Sequence, residues 1–147
     1  MNVNITLSDF LSLLAIILSG FSAIKSYSAS KLSNDLAKGQ SEIDIRNMIL
    51  TAQYHYSEMS IALIKDAKNK VLQQQVLTAI EMVANAYDEA CAKYIDGKID
   101  KERFKKLYFV ELRKWVEDEN LKDKYVMPHT KFKATVRVYN EWYDLEK

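Results

Sequence analysis

The feature that most constrains this chain is an apolar segment near its N-terminus, which carries no charge from Phe10 to Ile24. Small residues recur through this segment and beyond it in two rows at heptad spacing, and such rows lie side by side on a helix. A hydrophobic helix with a seam of small residues is typical of membrane spans that pack closely against another helix. We therefore predict a helix-packing seam made of Ser8, Ala15, Ser22 and Ala29 in one row and Ser12, Ser19, Ser26 and Ser33 in the other.

The length of the apolar segment bears on whether it crosses a bilayer. The uncharged run is about 22 Å long as a helix, which is less than a hydrocarbon core of roughly 30 Å. Extension to Ile5 and Tyr27 supplies the missing length and places Asp9 and Lys25 near the interfaces, where charge costs less. We predict a transmembrane helix. Two alternatives stay open: a signal peptide, which the acidic and lysine-free start disfavours, and a buried helix of a soluble oligomer, which the lack of a polar face disfavours.

The flanking charges predict an orientation for such a span. Lys25, Lys31 and Lys38 follow the apolar segment, and no basic residue precedes it. The positive-inside rule then places the N-terminus outside and the C-terminal domain in the cytoplasm. The single cysteine, Cys91, cannot form an internal disulfide and agrees with a reducing compartment.

The rest of the chain indicates an all-α fold. Three glycines and one proline are few for 147 residues, so helices should be long. We predict an N-terminal transmembrane helix followed by a cytoplasmic bundle of about four helices. With a helix break at Gly39 and Gln40, the domains are an anchor over 1–30, a connector over 31–40 and a cytoplasmic helical domain over 41–147.

Four apolar stripes and their flanking residues define the predicted helices of that domain. Gly97 should end the second helix, Asp100 should cap the third and Thr130 the fourth. The β-branched run at 135–139 also permits a strand, but no partner strand is evident, and helix is the prediction. The stripes are Ile45, Ile49, Ala52, Tyr56, Met59 and Leu63; Leu72, Val76, Ile80, Val83, Tyr87, Ala90 and Tyr94; Phe104, Leu107, Tyr108, Leu112 and Trp115; and Phe132, Val136, Tyr139 and Trp142.

No residue pattern points strongly to catalysis or to a metal. His55 and Glu58 are three apart and share a helix face, but the Glu-x-x-His motifs of di-metal bundles do not occur. Cys91 lies beside a core stripe and is expected to be a small buried hydrophobe. Asp88, on the same helix, is expected on a solvated face. We predict that the protein is not an enzyme and uses no cofactor or metal, with a cryptic site at His55 and Glu58 as the alternative.

A basic group near the C-terminus could contact anions. Lys131, Lys133 and Arg137 alternate with aromatic residues, a pattern found in single-stranded nucleic-acid binders and at anionic lipid surfaces. A solvated helix face opposite an aromatic core face produces the same spacing. The formal net charge of +1 gives no overall electrostatic footprint for nucleic acid, which we do not expect as a partner.

The segment from Tyr94 to Asp100, followed by Phe104 and Trp115, resembles a pattern in small bacterial membrane-anchored helical proteins of unknown function. The resemblance covers the apolar segment and roughly 80–116, and it carries over no catalytic residue. Proteins of this layout occur in phage, prophage and bacterial conflict systems. The resemblance therefore implies a membrane effector or an accessory subunit.

Three functions follow from these patterns. The first is a single-pass protein that self-associates through its N-terminal helix, contacts membrane lipids and engages a protein partner as an interaction or accessory subunit, as in a phage-conflict system. The second is a toxin-like effector that oligomerises and permeabilises or perturbs the inner membrane. The third is a soluble helical oligomer that binds nucleic acid or lipid through Lys131, Lys133 and Arg137.

Overall fold

The computed structural model describes residues 7–143, with side chains placed at 11, 12 and 14–143. Over this range the prediction of an all-α fold is confirmed, and the described residues form no strand. The elements are α1 (Leu7–Lys65), α2 (Lys70–Ile95), α3 (Lys101–Glu117), a 3₁₀ helix (Lys122–Tyr125) and α4 (Lys133–Tyr143).

The predicted break at Gly39 and Gln40 is wrong, because α1 continues through both residues. Glycine inside a helix costs only about 1 kcal/mol relative to alanine, which its neighbours can offset. One such neighbouring contact is the hydrogen bond that the Gln40 amide donates to the Asp44 carboxylate one turn later, at 2.8 Å. The predicted connector over 31–40 is therefore helical.

The chain divides into two compact units, one ending at Ala37 and the other starting at Lys38. The described part of the first unit is helical and belongs to α1. Among the described residues, no helix is both long enough and apolar enough to cross a membrane. The predicted transmembrane helix thus finds no support in the fold; its first residue, Ile5, lies outside the described part of the chain.

The second unit is a helical bundle with α2 at its centre. One face of α1 contributes Ile45, Ile49 and Ala52 to the core, as the apolar stripe predicts. Of the residues predicted to face inward on α3, Leu107 does not, because its side chain is 59% exposed. The main core cluster is completed by Val83, Ala86, Tyr87, Ala90, Cys91, Tyr94, Ile99, Phe104, Leu112, Val138 and Trp142.

Local capping residues set the helix ends near α2 and α3. The Asn69 side chain accepts from the backbone N–H groups of Val71 and Leu72 and begins α2. Gly97 ends that helix at φ +68°, the left-handed conformation that glycine adopts without strain. The Asp100 carboxylate accepts from the Arg103 N–H at 2.9 Å and begins α3. The predictions for Gly97 and Asp100 are confirmed.

The start of α4 differs from the prediction. Thr130 caps a turn, since its hydroxyl oxygen accepts from the Phe132 N–H at 2.9 Å, but the helix begins only at Lys133. The Asp88 carboxylate on α2 accepts from the Thr135 N–H at 2.9 Å, in the first turn of α4. The expectation that Asp88 only faces solvent is therefore wrong: this side chain holds the start of α4 against α2.

Candidate functional site

The first unit exposes apolar side chains over most of the circumference of α1. A soluble helix normally keeps its apolar residues in one stripe and covers them. Exposure of a long apolar surface marks a site for contact with another protein or with lipid. The exposed apolar residues are Leu11, Leu14, Ile16, Ile17, Leu18, Phe21, Ile24, Tyr27, Leu32 and Leu36.

The predicted helix-packing seam lies on this part of α1. Ser8 belongs to the helix, but its side chain lies outside the described residues. The other seam positions are exposed along the helix, and this surface is the candidate interface of the first unit. They are Ser12, Ala15, Ser19, Ser22, Ser26, Ala29 and Ser33.

In the second unit α1 has two apolar faces, of which only one is covered. The covered face carries Ile45 and Ile49, each 2% exposed. The opposite face is exposed; we call it the outer face of α1, made of Ile43, Asn47, Leu50, Tyr54, Ser57, Ile61 and Ile64. Its apolar members range in exposure from 52% at Leu50 and Ile61 to 81% at Ile64.

A shallow groove of about 430 Å³ separates α1 from α2 next to the outer face. Its lining is mostly apolar. Residues Asn47, Met48, Thr51 and Ala52 of α1 and Met82, Asn85, Ala86 and Glu89 of α2 line it.

The buried side chain of Tyr87 links α1, α2 and α3 through hydrogen bonds. The Tyr87 hydroxyl on α2 donates to Glu111 on α3 at 2.7 Å and accepts from the Gln53 amide on α1 at 3.0 Å. Burial, followed by the hydrogen bond with Glu111, raises the pKa of Tyr87 well above its usual value. The phenol is therefore neutral at physiological pH, and its role here is structural.

The single cysteine also has a structural environment. Cys91 is fully buried in the core cluster. Burial raises the pKa of the thiol well above its usual range, because the thiolate would lose its hydration. A reactive cysteine needs the thiolate and an accessible site. Cys91 has neither, as the sequence predicts.

Within the predicted basic group, the Lys131 ammonium lies 5.3 Å from the centre of the Phe132 ring. Lys131 forms an ion pair with Glu81, while Lys133 and Arg137 lie exposed one turn apart on α4. Phe132 and Trp142 are each 2% exposed, so their rings are not presented for stacking on bases. In this segment the buried aromatic side chains face the core, and the basic side chains face solvent.

His55 is half-buried on α1 and Glu58 is exposed one turn later. His129 lies in the turn after Pro128 and is exposed. Within the part of the chain that the structure describes, no three or more histidine, cysteine, aspartate and glutamate residues come together as metal ligands would.

The fold and surfaces together define an all-α bundle with an exposed apolar helix. Comparison with known proteins finds no match, either to a family model, to a curated protein or to a solved structure.

Proposed function

We propose that this protein is a single-pass, membrane-anchored helical protein that self-associates through its N-terminal helix and acts as an interaction or accessory subunit. The observation that carries the proposal is the exposure of apolar side chains around α1 in the first unit, such as Ile16 at 68% and Ile24 at 67%. Covering each side chain of this size is favourable by about 1.5–3 kcal/mol. Lipid would cover most of this surface, and a second helix would cover the small-residue seam.

Small residues suit the seam because they let two helix backbones approach closely. The uncharged run from Phe10 to Ile24 is shorter than a bilayer core, so the anchor would draw on flanking residues or on local thinning of the bilayer. Lys25, Lys31 and Lys38 would then lie on the cytoplasmic side of a bacterial inner membrane. The resemblance in layout supports a role in a phage-conflict system.

Membrane anchoring is tested by flotation of the full chain with membranes after carbonate washing. A variant with Ile16→Lys and Ile17→Lys places two charges in the centre of the apolar run and should remain in the soluble fraction. Flotation of the wild type and loss of the variant support the anchor. A wild-type chain that stays soluble contradicts it and favours a soluble oligomer.

The self-association arm is tested by mass measurement of the intact particle in detergent. The seam variant carries Ser12→Leu, Ser19→Leu and Ser26→Leu, which push the backbones apart. A control variant carries leucine at Gly20, Ser28 and Asn34, which are exposed on the other side of the helix from the seam. We expect a smaller particle for the seam variant alone; equal masses for all three proteins would contradict the interface.

A second candidate function follows from the hydroxyl groups of the seam. If several copies associate, the exposed serines at 12, 19, 22, 26 and 33 would line a narrow polar path across the membrane. The protein would then permeabilise the inner membrane as a toxin-like effector. Growth and membrane potential after expression, with and without residues 1–30, separate this function from the accessory role.

A further inference from the structure

The outer face of α1 in the second unit carries a heptad repeat. Ile43, Leu50, Ser57 and Ile64 follow one another at intervals of seven. Asn47, Tyr54 and Ile61 form a second row, each four residues after a member of the first. In heptad notation the first row occupies d positions and the second row occupies a positions. All seven residues are exposed in the second unit, on the side of α1 opposite the covered Ile45 and Ile49.

The same register is already present earlier in the sequence. The row from Ser8 to Ala29 reaches Ile43 by way of Leu36, and the row from Ser12 to Ser33 reaches Asn47 by way of Gln40. One heptad register thus runs through the whole sequence of α1, with small residues before Leu36 and mostly large ones from there on. The mostly apolar part of this register, from Leu36 to Ile64, spans about four heptads, which is typical of a helix that packs against another helix in a coiled coil.

We propose that the outer face of α1 binds the same face of a second copy of this chain as a parallel, in-register coiled-coil dimer. The inference rests on the proposed self-association, but on residues outside the small-residue seam. Leu50 at d with the β-branched Ile61 at a is the combination found in two-stranded coils, and Ile64 supplies a further apolar d position. Asn47 at a faces its own counterpart in register, where the two amides can hydrogen-bond.

The charged residues beside the face disfavour the antiparallel arrangement that matches Ile43 with Ile61. Asp44 and Glu58 occupy e positions. An antiparallel pairing that matches Ile43 with Ile61 of the second copy would bring Asp44 opposite Glu58 of that copy, a repulsive pair. In the parallel arrangement e positions meet g positions instead, so Asp44 lies by Gly39 and Glu58 by Gln53 of the second copy. Neither contact opposes like charges.

Disulfide trapping tests both the surface and the direction. Ser57→Cys introduces a thiol at a d position, where same-numbered residues of a parallel dimer lie within disulfide range. In the full chain under mild oxidation, this variant should form a covalent dimer in high yield. Thr78→Cys, on the exposed surface of α2, is the matched control and should cross-link poorly. The wild type, with only the buried Cys91, measures the background.

An antiparallel dimer would give a different cross-linking result. In the antiparallel pairing position 57 faces position 47, so a mixture of the Ser57→Cys and Asn47→Cys proteins would cross-link while Ser57→Cys alone would not. That result overturns the parallel arrangement. Equal cross-linking of the Ser57→Cys and Thr78→Cys proteins overturns the surface itself. Circular dichroism and tryptophan fluorescence of each variant check that the bundle is folded.

Failure of this inference is distinguishable from failure of the proposed function. A wild-type particle of dimeric or larger mass without the cross-link at position 57 contradicts the outer-face contact and leaves the seam in place. Cross-linking at position 57 in the seam variant supports the outer face as an interface of its own. A monomeric wild-type particle contradicts both.

Discussion

The indole N–H of Trp142 on α4 donates a hydrogen bond to the phenol oxygen of Tyr94 on α2 at 3.1 Å. The same phenol donates to the Glu141 carboxylate at 2.8 Å, and the two rings pack edge to face with centroids 5.5 Å apart. Both rings are buried, at 4% and 2% exposure. This pair therefore holds the last helix onto the central one through packing and hydrogen bonds together.

Tyr94→Phe keeps the ring but removes the hydroxyl from this arrangement. The Trp142 N–H then stays buried without an acceptor, which costs about 1–3 kcal/mol of unfolding free energy. Urea unfolding followed by tryptophan fluorescence measures the change. Tyr54→Phe, measured at a protein concentration too low for association through the outer face, is the control. Tyr54 is 67% exposed, so loss of its hydroxyl should change the free energy of unfolding by less than about 0.5 kcal/mol. Equal stabilities of the two variants would contradict a structural role for the bond.

Adjacent residues on α1 should respond differently to truncation. Ile49→Ala opens a cavity in the core and should lower the free energy of unfolding by about 2–5 kcal/mol. Leu50→Ala removes an exposed side chain and should leave the folded bundle within about 0.5 kcal/mol. It should instead weaken association through the outer face. Denaturation at low protein concentration measures the stability of the bundle, and the particle mass over a dilution series measures association. A large loss of bundle stability in Leu50→Ala would contradict the exposed placement of Leu50.

Two glycines should respond to alanine with opposite signs. Gly97 has φ +68°, so Gly97→Ala forces an alanine into the left-handed region and should destabilise the bundle by about 1 kcal/mol. Gly39 lies inside α1 with open space around an added Cβ, so Gly39→Ala should stabilise the helix by about 0.5–1 kcal/mol. Thermal unfolding followed by circular dichroism measures whether each variant is more or less stable than the wild type. A destabilising effect of Gly39→Ala would contradict a continuous helix at Gly39.

The thiol of Cys91 should resist alkylation in the native protein. Burial keeps it inaccessible and raises its pKa, and both effects suppress the reactive thiolate. Labelling with a maleimide should be slow in buffer and rapid in urea, as mass spectrometry would show. The Thr78→Cys protein should gain one label quickly under native conditions. Rapid native labelling of the wild type would contradict the buried placement.

The contact between Tyr139 and Glu117 should make stability depend on pH. The Tyr139 hydroxyl donates to the Glu117 carboxylate at 2.6 Å, which raises the pKa of Tyr139 to about 12 and, with the Arg113 guanidinium, lowers that of Glu117. The carboxylate's contribution is present above its unfolded pKa and is lost as the pH falls through the lowered value. The phenol's contribution is present below its unfolded pKa and is lost as the pH rises towards 12.

Tyr139→Phe should therefore be less stable than the wild type near neutral pH, with a difference that shrinks in strong acid and in strong base. Urea unfolding over a pH series measures it. Tyr54→Phe serves again as the control. A difference that stayed constant from acid to base would contradict a bond to the ionised carboxylate.

The end of a helix could be predicted from the sequence where the residues that determine it are close neighbours in the chain. Gly97 and Asp100 act on their own backbone neighbours, so their roles as cap residues can be recognised from sequence. Gly39 misled the prediction because a glycine is a weak helix breaker when the sequence on both sides favours helix. Leu107 fits an apolar stripe but lies exposed, because periodicity shows which residues share a face and not what covers its edge.

The sequence by itself determined an all-α chain, the ends of its middle helices and the heptad register of α1, because caps and periodicity act over one or two turns. The sequence also predicted the face of α1 that carries Ile45 and Ile49 and packs into the core. Only the tertiary structure showed a second apolar face, with Leu50 and Ile61, that stays exposed. It also decided that Asp88 holds the start of α4 and that Tyr87 joins Glu111. Those contacts link residues that are far apart in the chain, and whether such residues meet depends on how the helices pack.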